Sequence, residues 1–103
     1  MDSDVKASIK LTGDGRLTGY IAGSAANLGP VRIKSIQAQS SAADGEIKIY
    51  DATSASGDIK IHLKWGTAAN EGLEYNFPGR GVRFETTVYV DVTNCDSFIA
   101  YYC

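Results

Sequence analysis

His62 lies in the most chemically suggestive stretch of this 103-residue chain, with Lys60 and Lys64 two positions away on either side. A histidine can move protons near neutral pH, but catalysis needs a nucleophile and an orienting group within hydrogen-bond reach. Cys95 is the nucleophile to weigh. It falls in the turn-like Thr93-Asn94-Cys95-Asp96, with no helix start to activate it and no spacing that brings it to His62. No catalytic residue is assigned. Lys60, His62 and Lys64 instead mark a mildly basic strand face, suited to an acidic partner patch or to plain solvation.

The remaining chemistry is equally thin. Asp2, Asp4 and Asp14 lack the repeated carboxylates of a calcium loop, and no Cys-x-x-Cys offers a zinc site, so neither metal nor cofactor is expected. The glycines of GSAANLGP lack a Gly-Lys-Ser/Thr ending and lead into a strand, whereas a phosphate-binding loop leads into a helix. Six tyrosines and Trp65 could form a sugar platform, although aromatic side chains serve strand cores and protein interfaces just as well. Ten basic and twelve acidic residues leave a net charge of −2, which gives no electrostatic reason to bind nucleic acid. No apolar run approaches the ~20 residues of a membrane helix, and MDSDVKAS has no signal-peptide pattern, so synthesis in a cytoplasm is expected. Cys95 and Cys103, separated along a strand, are expected to be free thiols, with an interchain bond through Cys103 left open.

The elements that carry these residues read as strands. In Val5–Leu11 apolar residues alternate with Lys6, Ser8 and Lys10, and Gly13-Asp14-Gly15 supplies hairpin chemistry before RLTGYIAG. GSAANLGP reads as a loop. In VRIKSIQAQ, Ile33 and Ile36 fall on opposite parities, which calls either for a bulge near Lys34-Ser35, the preferred reading, or for burial of both faces. EIKIYD, DIKIHLKW and LEYNF follow, separated by glycine-containing turns, with Trp65 expected in the core.

The longest run, Phe77 to Val92 (FPGRGVRFETTVYVDV), starts at a proline-glycine corner. Its alternation puts Val82, Phe84, Thr86, Val88, Val90 and Val92 on a core face, and Arg83, Glu85, Thr87, Tyr89 and Asp91 on the other. Arg83, Glu85, Tyr89 and Asp91 thus form a mixed aromatic and charged surface suited to subunit contact, and Tyr101 on the final strand is a similar candidate. About eight strands separated by turns predict a single all-β domain over residues 1–103, an antiparallel sandwich or jelly-roll-like barrel.

Pro78, Gly79, Gly81, Phe84, Tyr89, Asn94 and Tyr101 carry a resemblance. The segment PGRGVRFETTVYVDVTNCDSFIAYY resembles small structural proteins of tailed bacteriophages, particularly podoviruses of marine bacteria and cyanobacteria. VRIKSIQAQSSAADGEIKIYDATSASGD is similar to their strand, glycine turn, strand and small-residue loop, so the likeness spans residues 31 to 103. It implies a non-enzymatic virion component, most of all a capsid decoration or cement protein that forms a homo-oligomer and binds the major capsid protein. A tail, neck or fibre component is the alternative within a virion, and a carbohydrate-binding β-sandwich module is the alternative of another class.

Overall fold

The computed structural model describes residues 5–21, 23–65 and 68–103, and the side chains of Ile21 and Trp65 are not among the described parts. The expected core role of Trp65, and the carboxylates of Asp2 and Asp4, therefore lie outside the described residues. The strands are β1 (Lys6–Ala7), β2 (Gly15–Arg16), β3 (Thr18–Ile21), β4 (Ser24–Asn27), β5 (Val31–Ser40) and β6 (Gly45–Tyr50). They continue as β7 (Ile59–Trp65), β8 (Gly72–Asn76), β9 (Val82–Phe84), β10 (Tyr89–Thr93) and β11 (Cys95–Tyr102). The fold is all-β, as the turn spacing predicts, with eleven strands among the described residues where about eight are expected.

Two antiparallel sheets make a sandwich-like arrangement. One runs β1-β11-β5-β8, with β9 also on β5; the other runs β2-β10-β6-β7; β3 and β4 form a separate hairpin. The two orders correspond strand for strand, because β1 leads into β2, β5 into β6, β7 into β8 and β10 into β11. Between the sheets lie Ile33, Ile36, Phe84, Phe98 and Ala100 from the first and Ile47, Ile49, Ile61 and Val90 from the second, with Leu17, Leu28 and Val88 in the same cluster. Burying a side chain of this size stabilises by about 1.5–3 kcal/mol relative to leaving it in water.

Crossing between sheets demands tight backbone, and three crossings use a non-glycine residue at positive φ: Asp44 at 65°, Asn70 at 61° and Asn94 at 52°. Asx side chains tolerate that region better than others because they bond locally. The three crossings meet around Ser40, which is fully buried. Its hydroxyl donates to Ala68 O at 2.9 Å and accepts from Glu71 N–H at 3.0 Å, while its carbonyl accepts from Asn70 N–H at 2.8 Å. Asn94 adds a bond from Nδ2 to Ala43 O at 2.8 Å, and its carbonyl accepts from Ser41 N–H at 2.8 Å.

Several local expectations need correction. Val5–Leu11 makes no hairpin with the following strand. It lies along β11, pairing Lys6 with Tyr102 and Ala7 with Tyr101, and Leu11 bridges to Phe98. Val5 and Ala7 are exposed and Ser8 is buried, because Ser8 exchanges bonds with Ala100 through its own N–H and hydroxyl. The Gly13-Asp14-Gly15 turn carries the chain to the other sheet, where β2 pairs with β10. The small-residue loop contains β4, paired with β3. The bulge in β5 is present: Ile33 faces Tyr102 and Ser35 faces Tyr101, leaving Lys34 as the extra residue. The turn expected over residues 93–96 narrows to Asn94, and Cys95 already belongs to β11.

The largest correction concerns residues 82–92. They do not hold one register: β9 pairs with β5 in the first sheet, and β10 pairs with β6 and β2 in the second. Residues 85–88 cross between them. Thr86 is exposed and Thr87 is buried, the reverse of the alternation.

Candidate functional site

Asp51 explains the crossover. Directly after β6, its carboxylate accepts N–H bonds from Glu85 at 2.9 Å, Thr86 at 2.9 Å and Thr87 at 3.3 Å. Burial alone pushes this carboxyl up, but the three N–H donors and the Lys60 charge outweigh that and hold it below its ordinary range. Turned inward, the Thr87 hydroxyl donates to Leu28 O at 2.7 Å and accepts from Arg16 at 3.2 Å.

The crossover divides the expected contact face. Arg83 stays with the first sheet on β9 and pairs at 3.0 Å with Glu85, the first residue of the crossing, and both are exposed. Tyr89 and Asp91 belong to the second sheet and are half-buried. Asp91 stands opposite Lys48. Desolvation, followed by the neighbouring Asp14 carboxylate, raises its pKa. Tyr101 is half-buried on β11 and donates its hydroxyl to Gln37 Oε1 at 2.9 Å. Arg83, Glu85, Tyr89 and Asp91 are therefore two separate pairs on two sheets rather than one surface.

Lys60, His62 and Lys64 are all exposed on β7, as the alternation requires. A bulge between the pairs Ile49/Ile61 and Tyr50/Ile59 takes Lys60 out of the row, and its ammonium stands 5.7 Å from the Phe84 ring centroid. His62 joins Glu46 of β6 through Nε2, a bond that is the leading cause of a lowered Glu46 pKa. Lys48 faces His62, and Glu46 faces Lys64. The stretch is thus a mixed-charge lattice in which Glu46 of β6 offsets part of the mildly basic face of β7.

Cys95 is buried and Cys103 exposed, and both are free thiols, as their separation along the strand predicts. Burial raises the Cys95 pKa, which leaves it a poor nucleophile. Among the described residues no group of three His, Cys, Asp or Glu side chains is placed to hold a metal ion.

The unexpected features are open edges and exposed apolar side chains. Among the described residues β7 pairs only with β6, and β8 only with β5. Ile59 on β7 is 41% exposed and Tyr75 on β8 is 43% exposed. The Tyr75 ring packs 4.9 Å from that of Phe77. Tyr75 stands beside the buried Ile36, and Ile59, inward by sequence alternation, is turned by the β7 bulge to pair with Tyr50, so their exposure could be found only once the strand pairing was known. Comparison with protein-family models, curated proteins and solved structures finds no match.

Proposed function

We propose that the protein is a non-enzymatic assembly module, a virion decoration or cement component that binds the major capsid protein. The observation that carries this reading is the pair of unpaired edges β7 and β8, the outer strands of corresponding ends of the two sheets. Unpaired backbone N–H and C=O groups beside exposed Ile59 and Tyr75 suit strand addition by a neighbouring chain, with apolar area buried alongside the new ladder. Charges on Lys60, His62 and Lys64 keep that edge from pairing indiscriminately. The likeness of residues 31 to 103 to small phage structural proteins supports the setting. Repeated copies would act together through multivalent contact, and no chemical step is needed.

Quantitative mass spectrometry of purified particles is the test. Many copies relative to the major capsid protein are expected. A few copies would move the protein to a tail, neck or fibre, and absence from particles overturns the reading. A carbohydrate-binding role has one observation in its favour: Tyr20, 66% exposed, stands at the lip of a cleft shared with Tyr102, Leu28 and Pro30. Glycan-array binding that is lost in Tyr20→Ala would support that alternative.

A further inference from the structure

We propose that the corner where β5, β9 and the end of β11 meet is a binding site for an oxyanion of the phosphate or carboxylate class. Arg32 and Arg83 stand directly opposite each other across β5 and β9. Facing positions in an antiparallel pair bring Cβ atoms to within about 4.5–5.5 Å, where like charges destabilise the sheet unless an anion lies between them. Arg80, from the Pro78-Gly79-Arg80-Gly81 corner, lines the same cavity of about 250 Å³, and no acidic side chain lines it.

The corner is held in place without using these guanidinium groups. Lys34 donates to Gly79 O at 3.0 Å, and Gly81 N–H donates to Pro78 O at 3.2 Å. Among the described residues the three arginines form one ion pair, from Arg83 to the exposed Glu85. The chain has a net charge of −2, yet Arg32, Lys34, Arg80 and Arg83 put four of its ten basic residues at this one corner. Arginine forks match planar and tetrahedral oxyanions in a way that a diffuse positive field does not. This site lies at the β9 end of the sheet edge that β8 also forms along β5, and it does not rest on the assembly role of β7 and β8.

The fold also supplies a reporter. Cys103 exchanges both backbone bonds with Arg32, at 3.0 and 3.1 Å, so Cys103, Arg32 and Arg83 lie in one cross-strand row. The Cys103 thiol is exposed and lines the cavity, whereas Cys95 is buried. The test measures how fast Cys103 attacks the doubly anionic 5,5′-dithiobis(2-nitrobenzoate) and the uncharged 4,4′-dithiodipyridine. In each case a mixed disulfide forms and the aryl thiolate leaves.

Relative to a small-molecule thiol, Cys103 is expected to favour the anionic reagent by about tenfold, as local positive potential concentrates anions. Inorganic phosphate or citrate should slow that reaction more than potassium chloride at equal ionic strength, and should leave the neutral reagent unaffected. The stronger of the two competitors identifies the class, phosphate or carboxylate. Arg80→Gln and Arg83→Gln should each remove the competition while leaving the melting temperature near wild type, and Glu85→Gln should strengthen it by releasing Arg83. Equal slowing by chloride overturns the proposal, since it shows screening alone, and so does competition that survives both arginine substitutions. The wild-type comparison stands even if a variant fails to fold.

Discussion

Two aspartates show how similar side chains take opposite signs. Asp51 holds the backbone of residues 85–87, and its folded pKa lies below the unfolded value. Its contribution is therefore present above the ordinary carboxylate range and is lost as pH falls through the lower folded pKa. Asp51→Asn is expected to cost about 1–2 kcal/mol at pH 7 by chemical denaturation, with the difference closing below about pH 4. Asp91 has a raised pKa, from desolvation and then Asp14, so its contribution is present at low pH and is lost as pH rises through the folded value. Asp91→Asn should stabilise the protein at pH 7 by under about 1 kcal/mol, and should bring no gain below about pH 4. Ser40→Ala would leave the Glu71 N–H without its hydroxyl partner. A loss of about 1–3 kcal/mol is expected from removing this hydroxyl and its part-buried bonds, in the same denaturation assay. None of these roles is legible from composition. Asp51, Ser40 and Arg32 look like ordinary turn and strand residues until the partners of each, 28 or more positions away, are known.

At the scale of elements, alternation was informative where a strand stays in one sheet and misleading where it changes sheets. β6 follows its pattern, β7 does so from Ile61 onward, past its bulge at Lys60, and the bulge at Lys34 was visible because Ile33 and Ile36 are both apolar. Residues 82–92 alternate just as cleanly, yet they cross between sheets, because the cause lies in Asp51, just past the end of β6. β4 was missed because Ser24, Ala25, Ala26 and Asn27 have low strand propensity and pair only within a local hairpin. The Pro-Gly corner was read correctly as a turn, and its two glycines do different work. Gly79 and Gly81 both have positive φ, at 62° and 84°, but a Cβ at Gly79 meets open space and one at Gly81 would be driven into the Ile33 carbonyl. Gly79→Ala should cost about 1 kcal/mol from backbone conformation alone, and Gly81→Ala at least about 2 kcal/mol more, measured by thermal or urea unfolding.

For the whole molecule, the all-β antiparallel architecture follows from turn spacing and short alternating strands, while strand order follows from contacts the sequence does not announce. The Cα radius of gyration, 13.0 Å, equals the ~13 Å of a compact domain near 100 residues. Among the described residues, the most distinctive external features of the fold are the free edges of β7 and β8. Hydrogen exchange on the protein free and bound to particles tests the central claim directly. The account predicts that, on particles, amides of Ile59–Trp65 and Gly72–Asn76 become protected, while those of the central β5 and β6 are unchanged. Equal exchange of β7 and β8 in the two states, with protection elsewhere or nowhere, would contradict it.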